Sequence, residues 1–145
     1  MVLILKSLSP FLLVALLLAG GAARAEDGTE SRTPVHQLRI YEIFDNNKAA
    51  FHQRFADHAA RIMAKYDFKI VAMWESRFED RTEFVYLLEW PDEQTMKARW
   101  SEFMADEEWS AIKKKTGAAH GTLVGAIEDR TLKATYYSPR MNLLN

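Results

Sequence analysis

The sequence contains no cysteine. Disulfides, thiolate metal sites, iron–sulfur clusters and cysteine nucleophiles are therefore excluded. It also lacks a GxSxG elbow, a phosphate-binding P-loop, a GxGxxG turn and an HExxH metal pair. Those absences remove the commonest local signatures of hydrolases, nucleotide enzymes and zinc proteases. No basic excess is present either. Of 19 Lys and Arg and 20 Asp and Glu, two cations (Lys6 and Arg24) fall in the first 25 residues, which hold no carboxylate. The remainder carries 17 cations against 20 carboxylates, a formal charge of −3. A nucleic-acid binder would show a basic face instead.

What is present begins with an export signature. Residues 1–25 carry Lys6, an apolar run from Phe11 to Leu18, and a tail of small residues ending Ala23-Arg24-Ala25. Only small side chains enter the recognition subsites of a signal peptidase, and the pattern predicts cleavage after Ala25. The apolar run falls short of the roughly 20 residues a permanent span needs, although an uncleaved anchor is the competing reading. The expected location is periplasmic or secreted. Residues 26–34, EDGTESRTP, are polar and turn-rich and read as a flexible tether. One domain over residues 35–139 and a short tail over 140–145 complete the chain. An exported domain without disulfides must stand on its core or on a partner subunit.

Val35 to Phe44 reads as a strand with apolar groups at both parities. Asp45-Asn46-Asn47 supplies cap chemistry. A helix then runs to about Tyr66, with Phe51, Phe55, His58, Ile62, Met63 and Tyr66 on one stripe. Phe68 to Trp90 reads as a hairpin around Glu79-Asp80-Arg81, rich in β-branched and aromatic residues. A loop of three or five residues would place both sets of even positions on one face, and a loop of four would oppose even to odd. In each case both faces are apolar at mid-hairpin, so one layer of helices leaves a face needing a cover. Pro91 ends the strand. Asp92 caps a helix carrying Met96, Trp100, Phe103 and Met104, and Asp106 caps a short helix over residues 107–115 with Trp109 and Ile112 inside. The Lys113-Lys114-Lys115 run is expected at that helix's end, where it suits the dipole. Residues 116–120 read as a loop. A last strand is expected within residues 122–137, broken near Gly125 or Glu128-Asp129. The order β-α-β-β-α-(α)-β defines an α+β, ferredoxin-like unit with an antiparallel sheet and helices on one face.

Four segments carry a family resemblance: KIVAMWES (69–76), EFVYLLEWPD (83–92), RWSEFMADEEW (99–109) and RTLKATYYSP (130–139). Trp74, the block Glu83 to Leu88, and the spacing of Trp100, Phe103, Asp106, Glu108 and Trp109 resemble the NIPSNAP family. One departure is Asp106-Glu107, where that family commonly has Asp-Pro. The resemblance implies a dimeric α+β barrel, in which two sheets pack face to face across a two-fold axis and cover the second apolar face. The wider superfamily includes haem-degrading and cofactor-independent monooxygenases, chlorite dismutase-like haem enzymes and proteins without a known reaction. The family's animal members are linked to mitochondria and vesicle-related partners. Fold does not carry function here.

The residues themselves leave three functional readings. The first is an uncatalytic binding module, a homodimer holding a small apolar ligand or a protein partner, with no cofactor. The second is an oxygenase-like or haem-handling enzyme, for which His58 is the candidate ligand or base. The third is a filled structural dimer. Arg39, Tyr41, Trp74, Tyr86 and Trp100 are the candidate pocket or dimer-core residues. Packing alone also explains the four aromatics. A cation such as Arg39 among apolar neighbours needs a partner, which Glu42, Glu89 or a ligand carboxylate would supply. No residue set points to a bound metal, and no second histidine stands at i±3 or i±4 from His58.

Overall fold

Strand β1 (Val35–Ile43) is paired on both sides, so its apolar residues at both parities each meet a neighbour. The computed structural model describes residues 33–144, and both the export segment and nearly all of the expected tether lie outside the described residues. Helix α1 (Lys48–Arg54) continues without a break through a π-helical turn (Phe55–Ala59) into α2 (Ala60–Lys65). The hairpin β2 (Lys69–Phe78) and β3 (Arg81–Trp90) follows. Next come α3 (Glu93–Ala105), α4 (Glu107–His120) and β4 (Ile127–Lys133). The sheet order is β2-β3-β1-β4, antiparallel throughout, which is the ferredoxin-like arrangement expected.

The pairing of Val35 with Trp90, Gln37 with Leu88, Arg39 with Tyr86 and Tyr41 with Phe84 defines one face of the sheet. Helices pack against that inner face. The core there joins Phe51, Phe55, Ile62 and Met63 of the first helices to Phe84, Tyr86, Leu88 and Trp90 of β3. Phe68 sits edge-on to both Trp90 and Trp100, at ring distances of 4.7 and 4.8 Å. The outer face carries Leu38, Ile40, Val85 and Leu87 at its centre, with Ala72, Trp74, Phe78 and Leu132 around them. Trp74 and Phe78 are 49% and 53% exposed. The sheet is therefore apolar on both faces while the helices cover one.

The hairpin loop has two residues, shorter than any length expected: Phe78 pairs with Arg81 across Glu79-Asp80. Near the turn, even positions of β2 oppose odd positions of β3, as in Trp74 with Val85. A β-bulge between Ile70 and Ala72 then switches the parity. Phe68 and Ile70 point inward, whereas Ala72, Trp74, Ser76 and Phe78 point outward.

Three other expectations need correction. The first helical stripe passes through Ala59, which is buried, and not through His58, which is half-buried. The π-helical turn, closed by the Ala60 N–H on the Phe55 carbonyl, adds about one residue to that turn and rotates the inward position by one. Helix α4 runs on to His120 instead of ending at Lys115. Gly117 is carried inside it at a cost of about 1 kcal/mol. The true stop is Gly121, in the left-handed region at φ 76°, whose N–H bonds the Gly117 carbonyl. The Asn47 amide donates to the carbonyls of His120 and Thr122, so it closes this helix end and makes no side-chain cap for α1. The lysine run is consequently mid-helix, and the helix-dipole account of it fails. Finally, β4 covers only Ile127–Lys133. Residues before it join β1 through Gly125 and Ala126, whose backbones bond Glu42. A Cβ at Gly125 would lie 2.5 Å from Glu42 Oε2, so a larger residue there would push the Glu42 side chain aside.

Candidate functional site

Between the inner face of the sheet and the helices lies a cavity of about 280 Å³. Strand β1 gives it Arg39 and Tyr41. Helix α1, the π turn and α2 give Phe51, Arg54, Phe55, Ala59 and Met63. Helix α3 gives Trp100, Phe103 and Met104, helix α4 gives Trp109 and Lys113, and Val124 and Ile127 close the β4 side. The wall is thus aromatic and aliphatic, with three cations and no carboxylate among its lining residues. Small-molecule sites have this character, a mainly apolar wall with a few fixed polar groups, and run from about 300 Å³ upward.

One end of the wall is held by a polar network that starts from a fully buried glutamine. The Gln37 carbonyl oxygen accepts from the indole N–H of Trp90 at 3.1 Å and of Trp100 at 2.7 Å. Indole nitrogens only donate, which fixes the orientation of the amide. The Gln37 nitrogen then donates to both oxygens of Asp129, at 2.8 and 3.0 Å. Asp129 also accepts from Arg39 at 2.5 Å. Arg39 reaches Tyr41 Oη through its other terminal nitrogen, and Tyr41 Oη lies 2.8 Å from Tyr86 Oη. The guanidinium lies over the Trp100 ring, 4.5 Å from its centroid. Burial works against the Arg39 charge, but Tyr41, Tyr86 and Asp129 outweigh it and hold its pKa above the ordinary value. Arg39 Nε is buried without a hydrogen-bond partner among the described residues. Burial also raises the Tyr86 phenol well above its usual value, so it remains neutral.

The opposite end of the wall is built around Trp109, which stacks on Phe103 with ring centroids 5.4 Å apart. Arg54 and Lys113 each lie 5.7 Å from the Trp109 ring. Arg54 donates to Thr116 Oγ1 at 3.3 Å. Its pKa is lowered by burial. The helices around this end are tied by ion pairs of Arg61 and Lys65 with Glu108, and by the Asp106 cap on the Trp109 N–H. Tyr66 donates to the same Asp106. On the other side, Lys48 and His52 hold Glu75 of β2.

Of the residues predicted to form a site, Arg39, Tyr41 and Trp100 meet at the cavity. Tyr86 lies behind them, bonded to Tyr41. Trp74 is on the other face of the sheet. His58 does not line the cavity, and its side chain makes no hydrogen bond among the described residues. The partner of Arg39 is Asp129, not Glu42 or Glu89, because both glutamates belong to the outer face. Gln37, Asp129, Arg54, Lys113 and Trp109 were not singled out as site residues from the sequence. Gln37 shares the parity of Val35, Arg39 and Tyr41, and that alternation was the available signal. Asp129 and Lys113 gave none without the register of β4 and the true length of α4.

The architecture defines a ferredoxin-like α+β domain with an aromatic cleft under its helices. The chain belongs to the NIPSNAP family, whose pattern matches residues 36–139. Among solved structures, an uncharacterized NIPSNAP-like domain protein from Burkholderia xenovorans is 18% identical, with a TM-score of 0.64, covering 77% of this chain and 94% of the other. A NIPSNAP family protein of unknown function from Agrobacterium tumefaciens is also 18% identical, at TM-score 0.63, covering 74% of this chain and 94% of that one. SnoaB, a cofactor-independent oxygenase from Streptomyces nogalater, matches more loosely: 17% identity, TM-score 0.47, 74% of this chain and 99% of that one. No curated protein matches the chain.

Proposed function

We propose that this NIPSNAP protein is an exported binding module that holds one small apolar ligand in the cleft and works as a homodimer. The observation that carries the ligand reading is the cavity itself. Phe51, Phe55, Trp100, Phe103 and Trp109 line a space of about 280 Å³ instead of filling it. Large aromatics that could close a core and leave it open are the mark of a site for an apolar molecule. The dimer reading is supported by the outer face. Trp74, Phe78 and Leu132 are exposed on the sheet, and Tyr136 and Tyr137 follow just beyond β4. A contiguous exposed apolar surface of this kind marks an interaction site. Export rests on the signal pattern of residues 1–25, and loss of that segment from protein recovered outside the cytoplasm is its test.

A haem-handling function fits the residues less well. No histidine lines the cleft, and the Tyr41 hydroxyl is already engaged by Arg39 and Tyr86. Haem titration is expected to give no Soret shift beyond free haem, and no dependence on His58→Ala. The binding reading is tested by calorimetric titration with indole and with octanol. Saturable one-to-one binding of either compound, weakened at least tenfold by Ile127→Trp at the cleft margin, is expected. Absence of saturable binding across such compounds would dismiss the ligand reading.

A further inference from the structure

The two ends of the cleft differ in charge balance, and that difference specifies the ligand. At the Trp100 end the Arg39 cation is met by Asp129, which also holds Gln37. At the Trp109 end, Arg54 and Lys113 are both half-buried cleft residues, and neither forms an ion pair among the described residues. Arg54 has one neutral partner, Thr116 Oγ1, which itself bonds the Ile112 carbonyl. The Lys113 ammonium lies over the Trp109 ring. Elsewhere the helices supply partners readily: Arg61 and Lys65 share Glu108, Arg99 has Asp67 and Glu102, and Lys48 has Glu75. Two partly desolvated cations beside one aromatic ring therefore stand out, because the other cations without an ion pair among the described residues are exposed.

We infer that the cleft takes a small apolar acid, its aromatic or acyl body between Trp100 and Trp109 and its single carboxylate held by Arg54 and Lys113. The inference rests on the ligand reading above and specifies it. A guanidinium offers two parallel N–H donors to a carboxylate, and an ammonium adds a point charge. The positive wall without an opposing carboxylate would disfavour amines of the same shape. The lowered pKa of Arg54 agrees with this, since an incoming anion offsets the burial that lowers it. The volume restricts the body to about one ring or a medium acyl chain.

The test compares matched pairs by titration calorimetry at neutral pH and moderate salt: phenylacetate against 2-phenylethanol, and octanoate against octanol. Each acid is expected to bind at least tenfold more tightly than its alcohol, which is about 1.4 kcal/mol. Arg54→Gln and Lys113→Gln should each reduce that preference, and the double variant should abolish it while the alcohols still bind. Lys114→Gln, at an exposed position, should leave the preference intact. Alcohols binding as tightly as acids would overturn the inference and leave the cleft as a neutral apolar site. An acid preference that survives the double variant would also overturn it, because another group would then hold the carboxylate. If none of the four compounds binds, the ligand reading fails and the inference fails with it. The acid–alcohol comparison needs no substitution, so it stands even where a variant folds poorly.

Discussion

Replacing Gln37 with leucine should destabilise the domain by about 2–4 kcal/mol, although the two side chains have similar size. The figure follows from the partners. The Gln37 oxygen is the acceptor for the indoles of both Trp90 and Trp100. A buried donor left without an acceptor costs about 1–3 kcal/mol. Trp90 is fully buried and bears that cost in full. Trp100 is half-buried and can recover part of it from water. Asp129 is half-exposed and keeps Arg39, so its loss of the Gln37 amide adds less. Greater apolar burial by leucine offsets some of the sum. Domains of this size have net stabilities of about 5–15 kcal/mol, so the loss is a large fraction of the whole. Urea unfolding followed by far-ultraviolet circular dichroism measures it, and an unchanged slope with a lower midpoint is expected. A double-mutant cycle with Trp100→Phe, which keeps an aromatic ring but removes the N–H, should give a coupling of about 1 kcal/mol. A loss below about 0.5 kcal/mol for Gln37→Leu with no coupling to Trp100 would show that the glutamine does not serve as the shared acceptor.

Acid and alkaline limbs should be separable. Arg61 and Lys65 hold the Glu108 carboxyl down to about 2, below its ordinary 4.5, so the folded state binds this proton less readily than the unfolded chain. That stabilisation is present above pH 4.5 and is lost as pH falls toward 2. Glu108→Gln should flatten the acid limb of a melting-temperature profile, and an identical limb in the variant would contradict the assignment. Tyr86 is raised above 10 by burial, so its contribution is present below pH 10 and is lost as pH rises further. Tyr86→Phe should soften the alkaline limb and cost about 1 kcal/mol at neutral pH through the lost bond to Tyr41. Leu87→Asp, at the centre of the outer face, should convert a dimer to a monomer by light scattering while circular dichroism stays native. A monomeric parent would refute the dimer itself.

The sequence carried the element order because its cues are local. Pro91, the Asp92 and Asp106 caps, and alternating or helical apolar spacing each act within a few residues. It carried the two-faced sheet for the same reason. The site was only partly legible because it depends on offsets that accumulate between elements. The π turn exchanged His58 for Ala59 at the inward position, and no residue type demands such a turn. Residues 116–120 read as a loop, but the helix runs on to His120, where Asn47 bonds its end, and Lys113 stands mid-helix in the cavity wall instead of at a solvated helix end. Arg39 was visible as a cation in need of a partner. Its partner came from β4, 90 residues away in the chain and directly opposite in the sheet register.

The β-bulge at Val71 divides β2 between two tasks. Before it, Phe68 and Ile70 belong to the subunit's own interior; beyond it, Trp74 and Phe78 belong to whatever meets the sheet from outside. Changes at Phe68 or Ile70 should therefore be felt in the core, and changes at Trp74 or Phe78 on the exposed outer face. Were Val71 paired regularly instead of bulged, either Trp74 and Phe78 would turn into the interior or Phe68 and Ile70 would turn to the outer face. One extra residue thus lets the even positions of a single strand serve the interior in one half and the outer face in the other.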